Sequence, residues 1–260
     1  MAGGRSWAPG EWTDDTALAL ALAESIANHG LLDTADVAAR YIEWARIGKG
    51  IGDATAGALH GAVDDAHARA QAEAFHESTG LSAGNGTVMR AAPVGLAAPS
   101  VKAAADAARE DARLTHYDPA TGAASAALCA ALIAIREGGD PLAAAGEQVE
   151  DHGKLIQVIE AVRGRDEGLL AELAGGFERG ACWTTLGIAL YSLEAIDDYE
   201  RGLLWAIALG GDTDTNAAVA GALLGCRHGP DAIPERWLSP LWERERIERA
   251  AESLAERAAG

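Results

Sequence analysis

The stretch Thr13-Asp14-Asp15-Thr16-Ala17-Leu18-Ala19-Leu20-Ala21-Leu22-Ala23 has a counterpart near the other end of the chain, Asp212-Thr213-Asp214-Thr215-Asn216-Ala217-Ala218-Val219-Ala220. Each joins two carboxylates and interleaved hydroxyls to a nearly uncharged run rich in alanine. Alanine and leucine are strong helix formers, so each reads as the start of a buried helix. One Asp or Thr side chain suffices to cap such a start and complement its dipole. The remaining oxygens exceed what a cap needs, and a capping aspartate still has a second oxygen free. Two such starts read as half-sites that meet in space. Four carboxylates at close quarters repel strongly, so either protons or cations must hold them; the reading taken here is cations. Oxygen-only ligands suit Mg²⁺, Mn²⁺ or Ca²⁺ and not zinc. Two ions bridged by carboxylates would activate water and neutralise an anionic substrate, which points to hydrolysis.

The rest of the composition agrees with helices. The chain has 260 residues, 49% hydrophobic but only 5% aromatic, so alanine and leucine must build the interior. Small side chains let helices approach closely. Helical patterns run over residues 14–29, 34–44, 55–75, 87–96, 101–114, 121–137, 141–150, 154–163, 182–195, 199–209, 214–226 and 242–258, joined by short turns. Nothing alternates with period two over more than four residues. The expectation is one all-α domain spanning residues 1–260, an orthogonal helical bundle with a metal site between helix N-termini. Only residues 163–176 combine charge and glycine in a way that would loosen the chain.

The net charge of -18 argues against nucleic acid and against an anionic membrane surface as partners. The longest apolar run, Ala123 to Ile135, contains Ser125 and reads as a core helix. The first residues lack the apolar core of a secretory signal. Cys129, Cys182 and Cys226 are odd in number without metal-ligand spacing, which suggests reduced thiols in a cytoplasmic protein.

Gly84-Asn85-Gly86-Thr87 permits close backbone approach, and a helix beginning at Thr87 would offer N–H groups to a diphosphate. Read alone, it is also an ordinary turn. Arg90 reads as the buried partner of an acidic residue. His116 reads as a solvated or capping residue after a helix end. Tyr117 and Trp183 are candidate stacking partners for a base, with core burial the commoner fate of a tryptophan.

Three strings resemble the ADP-ribosylglycohydrolase family, of the dinitrogenase-reductase-activating type: Trp12-Thr13-Asp14-Asp15-Thr16, Gly84-Asn85-Gly86-Thr87-Val88-Met89-Arg90-Ala91-Ala92-Pro93, and Gly210-Gly211-Asp212-Thr213-Asp214-Thr215. Thr115-His116, Asp118-Pro119 and Ile233-Pro234-Glu235-Arg236-Trp237 are similar to family positions too. The resemblance implies an all-α enzyme with two Mg²⁺ or Mn²⁺ ions that cleaves the bond between ADP-ribose and a protein side chain. It assigns Thr13, Asp14, Asp15, Asp212, Asp214 and Thr215 to the metals, with Asp14 or Asp214 as base. Gly84, Asn85, Gly86, Thr87, Met89 and His116 fall on the substrate side, and Gly48 to Gly52 on a loop bordering the cleft.

The chain also departs from the pattern. Family members begin with a glycine-rich helix carrying a metal-facing acid, whereas twelve residues, Gly3 and Gly4 among them, precede Thr13 here. Ala181-Cys182-Trp183-Thr184 stands where the family has an aromatic residue and an aspartate. These departures support an alternative reading, a catalytically impaired relative that binds ADP-ribose or plays a structural role. A dimetal phosphohydrolase is a third.

Overall fold

The computed structural model describes residues 7–259; the expectation about the leading segment falls partly on Gly3 and Gly4, outside them. Among the described residues the architecture is all helical, as expected, with one isolated antiparallel bridge between Gly84 and Ala181. The helices are α1 (Asp14–His29), α2 (Thr34–Ala45), α3 (Asp53–Leu59), α4 (Asp65–Thr79), α5 (Ala92–Ala97), α6 (Val101–Ala112), α7 (Pro119–Glu137) and α8 (Pro141–Gly146). They continue with α9 (Gly153–Gly164), α10 (Glu167–Gly175), α11 (Cys182–Ala195), α12 (Tyr199–Ala208), α13 (Thr213–His228), α14 (Glu235–Leu238) and α15 (Arg244–Ala259).

Helix α7 is the axis of the bundle. Every residue from Ala120 to Ala134 is buried, and α5, α6, α8, α11 and α13 all pack against it. By length and composition it could cross a membrane, yet here it is the core helix. Its small side chains permit this crowding. At the α5 crossing, a Cβ on Gly95 would lie 2.9 Å from the Cys129 Cα, so any side chain there would push the helices apart. Helices α1 and α13 carry the acidic strings, and both pack on the short 3₁₀ turn Val88–Arg90. This brings the two distant acidic starts to the same end of the bundle.

Several boundaries differ from expectation. The helix expected over 55–75 is two: Gly61, at φ +79°, breaks the chain, and Asp64 caps α4 by accepting from the His67 N–H. The helix expected from Thr87 is the 3₁₀ turn followed by α5, with Pro93 in its first turn. Residues 163–176, expected to be loose, contain α10, whose start Asp166 caps through the Leu169 N–H.

Candidate active site

The Thr13 and Asp212 side chains occupy the N-cap positions of α1 and α13, yet neither caps its helix. The capping account of the two acidic strings therefore fails for the residues best placed to do it. Asp212 instead lines a cavity of about 340 Å³ together with Asp14, Asp214 and Thr215, with Gly84, Asn85, Gly86, Met89 and His116 on another wall. Thr13 and Asp15 sit behind Asp14. The Thr13 hydroxyl donates to Asp15 Oδ2 at 2.5 Å, and the Thr215 side chain also hydrogen-bonds Asp15.

The carboxylates feel one another and the low-dielectric surroundings. Burial first, then the neighbouring Asp15 charge, push the Asp14 carboxyl up to about 7, with Asp214 and Asp212 adding to the effect. Burial also raises Asp15, although its threonine partners pull the other way. Asp212 rises to about 6, mainly through burial and despite the donor it receives from Asn85. These shifts are those of a site with too much negative charge.

The remaining oxygen of Asp15, Oδ1, is buried without a hydrogen-bond partner. A buried, unpaired carboxylate oxygen is costly unless a cation faces it. Among the described residues no three carboxylate, imidazole or thiolate groups close on one point as a finished cluster. The donors come in pairs, Asp14 beside Asp15 and Asp212 beside Asp214, supplemented by the Thr13 and Thr215 hydroxyls. Such a set suits hard divalent cations that keep part of their water shell.

The glycine string is fixed from two sides. Asn85 N donates to Gly180 O and Cys182 N to Ala83 O, both at 3.0 Å, which ties the string to the start of α11. Asn85 Nδ2 then reaches Asp212 Oδ2 at 2.8 Å and Thr185 Oγ1 at 3.0 Å, and Thr185 donates to Asn216. The glycines are required by His116: a Cβ on Gly86 would stand 2.9 Å from the His116 Cε1. Of the placements expected for His116 the solvated one fails: the residue is buried and lines the cavity, and its Nδ1 meets the Thr115 hydroxyl at 2.8 Å. Burial, then the charge of Arg90, lower its pKa to about 3, so the ring is neutral.

Thr87 is the predicted site residue whose side chain is turned away. It is fully buried and donates to the Thr121 carbonyl in the core. Gly50 and Gly52 of the 48–52 loop do border the cavity. Trp183 is half-buried rather than part of the deep core, and lines a second cavity of about 750 Å³ that shares Leu81, Gly84, Gly180 and Asp212 with the first. Tyr117 is 42% exposed and lines neither of these two cavities. Sequence reading did not select Trp7, Asp53 and Thr55 as cavity walls, nor Thr185 and Asn216 as the support behind Asp212. Asn216 alone carried a signal, following directly on the second acidic string.

The whole chain, residues 1–260, matches the ADP-ribosylglycohydrolase family. The chain belongs to that family. Glycosidic bonds of ADP-ribose are thus the bonds this hydrolase acts on. An ADP-ribosylarginine hydrolase, Tri1, of Serratia proteamaculans is 28% identical over 255 residues, which cover 95% of this chain and 67% of the relative. The ADP-ribosyl-[dinitrogen reductase] glycohydrolase of Rhodospirillum rubrum is 29% identical over 242 residues, 90% of this chain and 74% of that enzyme. A solved ADP-ribosylglycohydrolase-related protein complex superposes with a TM-score of 0.77 at 34% identity, covering 99% of this chain and 86% of the other. In this glycohydrolase each of the three strings that carry the resemblance puts residues on the carboxylate cavity: Asp14 from the first, Asn85 from the second and Asp214 from the third.

Proposed function

We propose that this chain is a divalent-cation-dependent hydrolase that removes ADP-ribose from a protein side chain, with arginine the first acceptor to test. The supporting observation is the buried, partnerless Asp15 Oδ1 behind a cavity lined by three further aspartates, Asp14, Asp212 and Asp214, whose charges crowd one another. The choice of arginine follows the name of the Tri1 relative.

Thr13, Asp14, Asp15, Asp212, Asp214 and Thr215 would hold Mg²⁺ or Mn²⁺, in one or two ions. Bound there, the cation supplies positive charge against the carboxylates and an electrophilic anchor for sugar hydroxyls and water. The chain's own residues do the rest. The Gly84–Gly86 backbone lets a ribose-phosphate approach where a side chain would block it. Asn85 fixes the orientation of Asp212. His116, neutral and buried, closes the wall beneath the glycines without adding charge.

In the hydrolytic step a water oxygen bonds to the anomeric carbon of the distal ribose as the bond from that carbon to the acceptor nitrogen breaks. The water's proton passes to a carboxylate, Asp14 or Asp214, and the leaving nitrogen takes up one proton, so the carboxylate returns to its starting state. Both carboxylates line the cavity that would hold that water. The buried thiols Cys129 and Cys182 support a cytoplasmic setting for this reaction.

Protein stripped with chelator and resupplied with Mg²⁺ or Mn²⁺ should release free ADP-ribose from an ADP-ribosylarginine peptide, followed by mass spectrometry, with a serine-linked peptide as the comparison. Release of AMP would instead indicate a phosphohydrolase. Tight ADP-ribose binding with no turnover on either peptide would replace the hydrolase reading with a binding role.

A further inference from the structure

Beneath the glycine string lies a fully enclosed ionic network that the proposed chemistry does not use. Arg90 is 0% exposed and Asp111 2%. The Arg90 Nε donates to Asp111 Oδ2 at 2.8 Å, and its Nη2 donates to the Asp111 carbonyl at 3.0 Å. The Tyr41 hydroxyl donates to Asp111 Oδ1 at 3.0 Å, and the Tyr41 ring lies under the guanidinium at 4.7 Å. The third guanidinium nitrogen serves the site: Arg90 Nη1 donates to the Gly86 carbonyl at 3.0 Å.

An ion pair taken out of water is a poor way to add stability, since well-packed apolar residues of the same volume do as well or better. What a guanidinium offers instead is a rigid planar fork whose donors hold several oxygens in fixed relation. Here that fork joins the core, through Asp111 and Tyr41, to the carbonyl of Gly86, the residue that follows Asn85. The neighbouring histidine responds to the same charge, which helps burial keep it neutral.

We infer that Tyr41, Asp111 and Arg90 form a positioning unit for the binding wall of the cavity, fixing the Gly86 carbonyl and thereby the Asn85 amide against Asp212. The unit touches no reacting atom. Its output is the angle at which Asn85 meets the carboxylate and the shape of the glycine wall. The inference rests on the proposed ADP-ribose reading of the cavity for its binding readout, but not for its structural one.

The test uses the full chain and two variants. Arg90→Lys keeps a charge beside Asp111 but has no fork to span both Asp111 and Gly86. Tyr41→Phe removes one donor from Asp111 and leaves the ring in place. Two quantities are read: the Asn85 side-chain amide resonances in ligand-free protein by ¹⁵N NMR, and ADP-ribose affinity by calorimetry with Mn²⁺ present. For Arg90→Lys the amide resonances should shift and the Kd should rise about tenfold, with KM following Kd and kcat changing less than about threefold. Tyr41→Phe should displace the same resonances in the same direction by a smaller amount. A core variant with a comparable loss of Tm, Leu132→Val, should leave both readings alone.

If Arg90→Lys does not fold, Tyr41→Phe decides. Unchanged Asn85 resonances in either folded variant, or the same displacement in Leu132→Val, would make the network a purely structural element and overturn the inference. Failure of the wild-type chain to bind ADP-ribose would sink the functional reading while the amide resonances still tested this one.

Discussion

The Asn85 amide donates to the Asp212 carboxylate at 2.8 Å across 127 residues of sequence. This hydrogen bond joins the glycine string to the second acidic string, and it opposes the burial that raises the Asp212 pKa. Asn85→Ala should therefore let the Asp212 carboxyl rise further above about 6. It should also lower kcat/KM by about 10- to 100-fold, which is roughly 1.4–2.8 kcal/mol of transition-state stabilisation. NMR titration of the aspartate carboxyls together with steady-state kinetics checks both. A kinetic loss with no change in the titration would mean that Asn85 serves the substrate alone.

Charge removal within the carboxylate group should separate stability from activity. Asp14→Asn keeps the shape and removes one of four repelling charges. In chelator its Tm should equal or exceed that of the wild type, while turnover should fall by about 10³-fold or more if Asp14 handles the proton. A variant that lost stability in chelator would show that the Asp14 charge is satisfied without a cation.

The pH dependence of the metal-free protein has a definite sign. The folded-state carboxyls of Asp14, at about 7, and Asp212, at about 6, both lie above the ordinary value of 3.8. The native state thus binds more protons than the unfolded chain between about pH 4 and pH 7, so stability falls as pH rises through that window. Tm in chelator should be higher at pH 5 than at pH 8, by a few degrees at about 2–4 °C per kcal/mol for a chain of this size. Adding Mn²⁺ should restore the loss at pH 8 and, at pH 6.5, release protons detectable as a buffer-dependent heat of binding. A flat Tm profile in chelator would contradict the raised carboxyls.

Space beneath the glycine string can be tested with one methyl group. A Cβ on Gly86 would lie 2.9 Å from the His116 Cε1 and 3.2 Å from the Thr55 Oγ1. Gly86→Ala should weaken ADP-ribose binding about tenfold, or roughly 1.4 kcal/mol. Gly153→Ala meets nothing within 4 Å and should bind as the wild type does. Equal affinity for the two variants would show that the His116 wall yields without cost.

Helix α1 illustrates what was legible in advance. Its expected bounds match the observed Asp14–His29 because an acidic start and Gly30 mark them locally, and Cys182–Ala195 was read with the same bounds. Arg90 was likewise expected to be a buried partner of an acidic residue, since a cation within an apolar run needs a counter-charge. The α3–α4 break at Gly61 and helix α10 were not legible. One glycine within a helical pattern is compatible with either continuation or a turn, and the charges of 163–176 become helical only because α10 packs on α9 and α11.

The sequence by itself determined the helical class, the acidic and glycine strings, and the family, because periodicity, capping residues and short motifs are encoded within a few turns of chain. Tertiary structure alone decided that Asp14 and Asp212 share a cavity, that Asn85 braces Asp212, that His116 is buried under two glycines, and that Thr87 turns into the core. The reason is physical. Desolvation and mutual repulsion depend on distances between residues far apart in the chain, and those distances are set by how the whole bundle packs around α7.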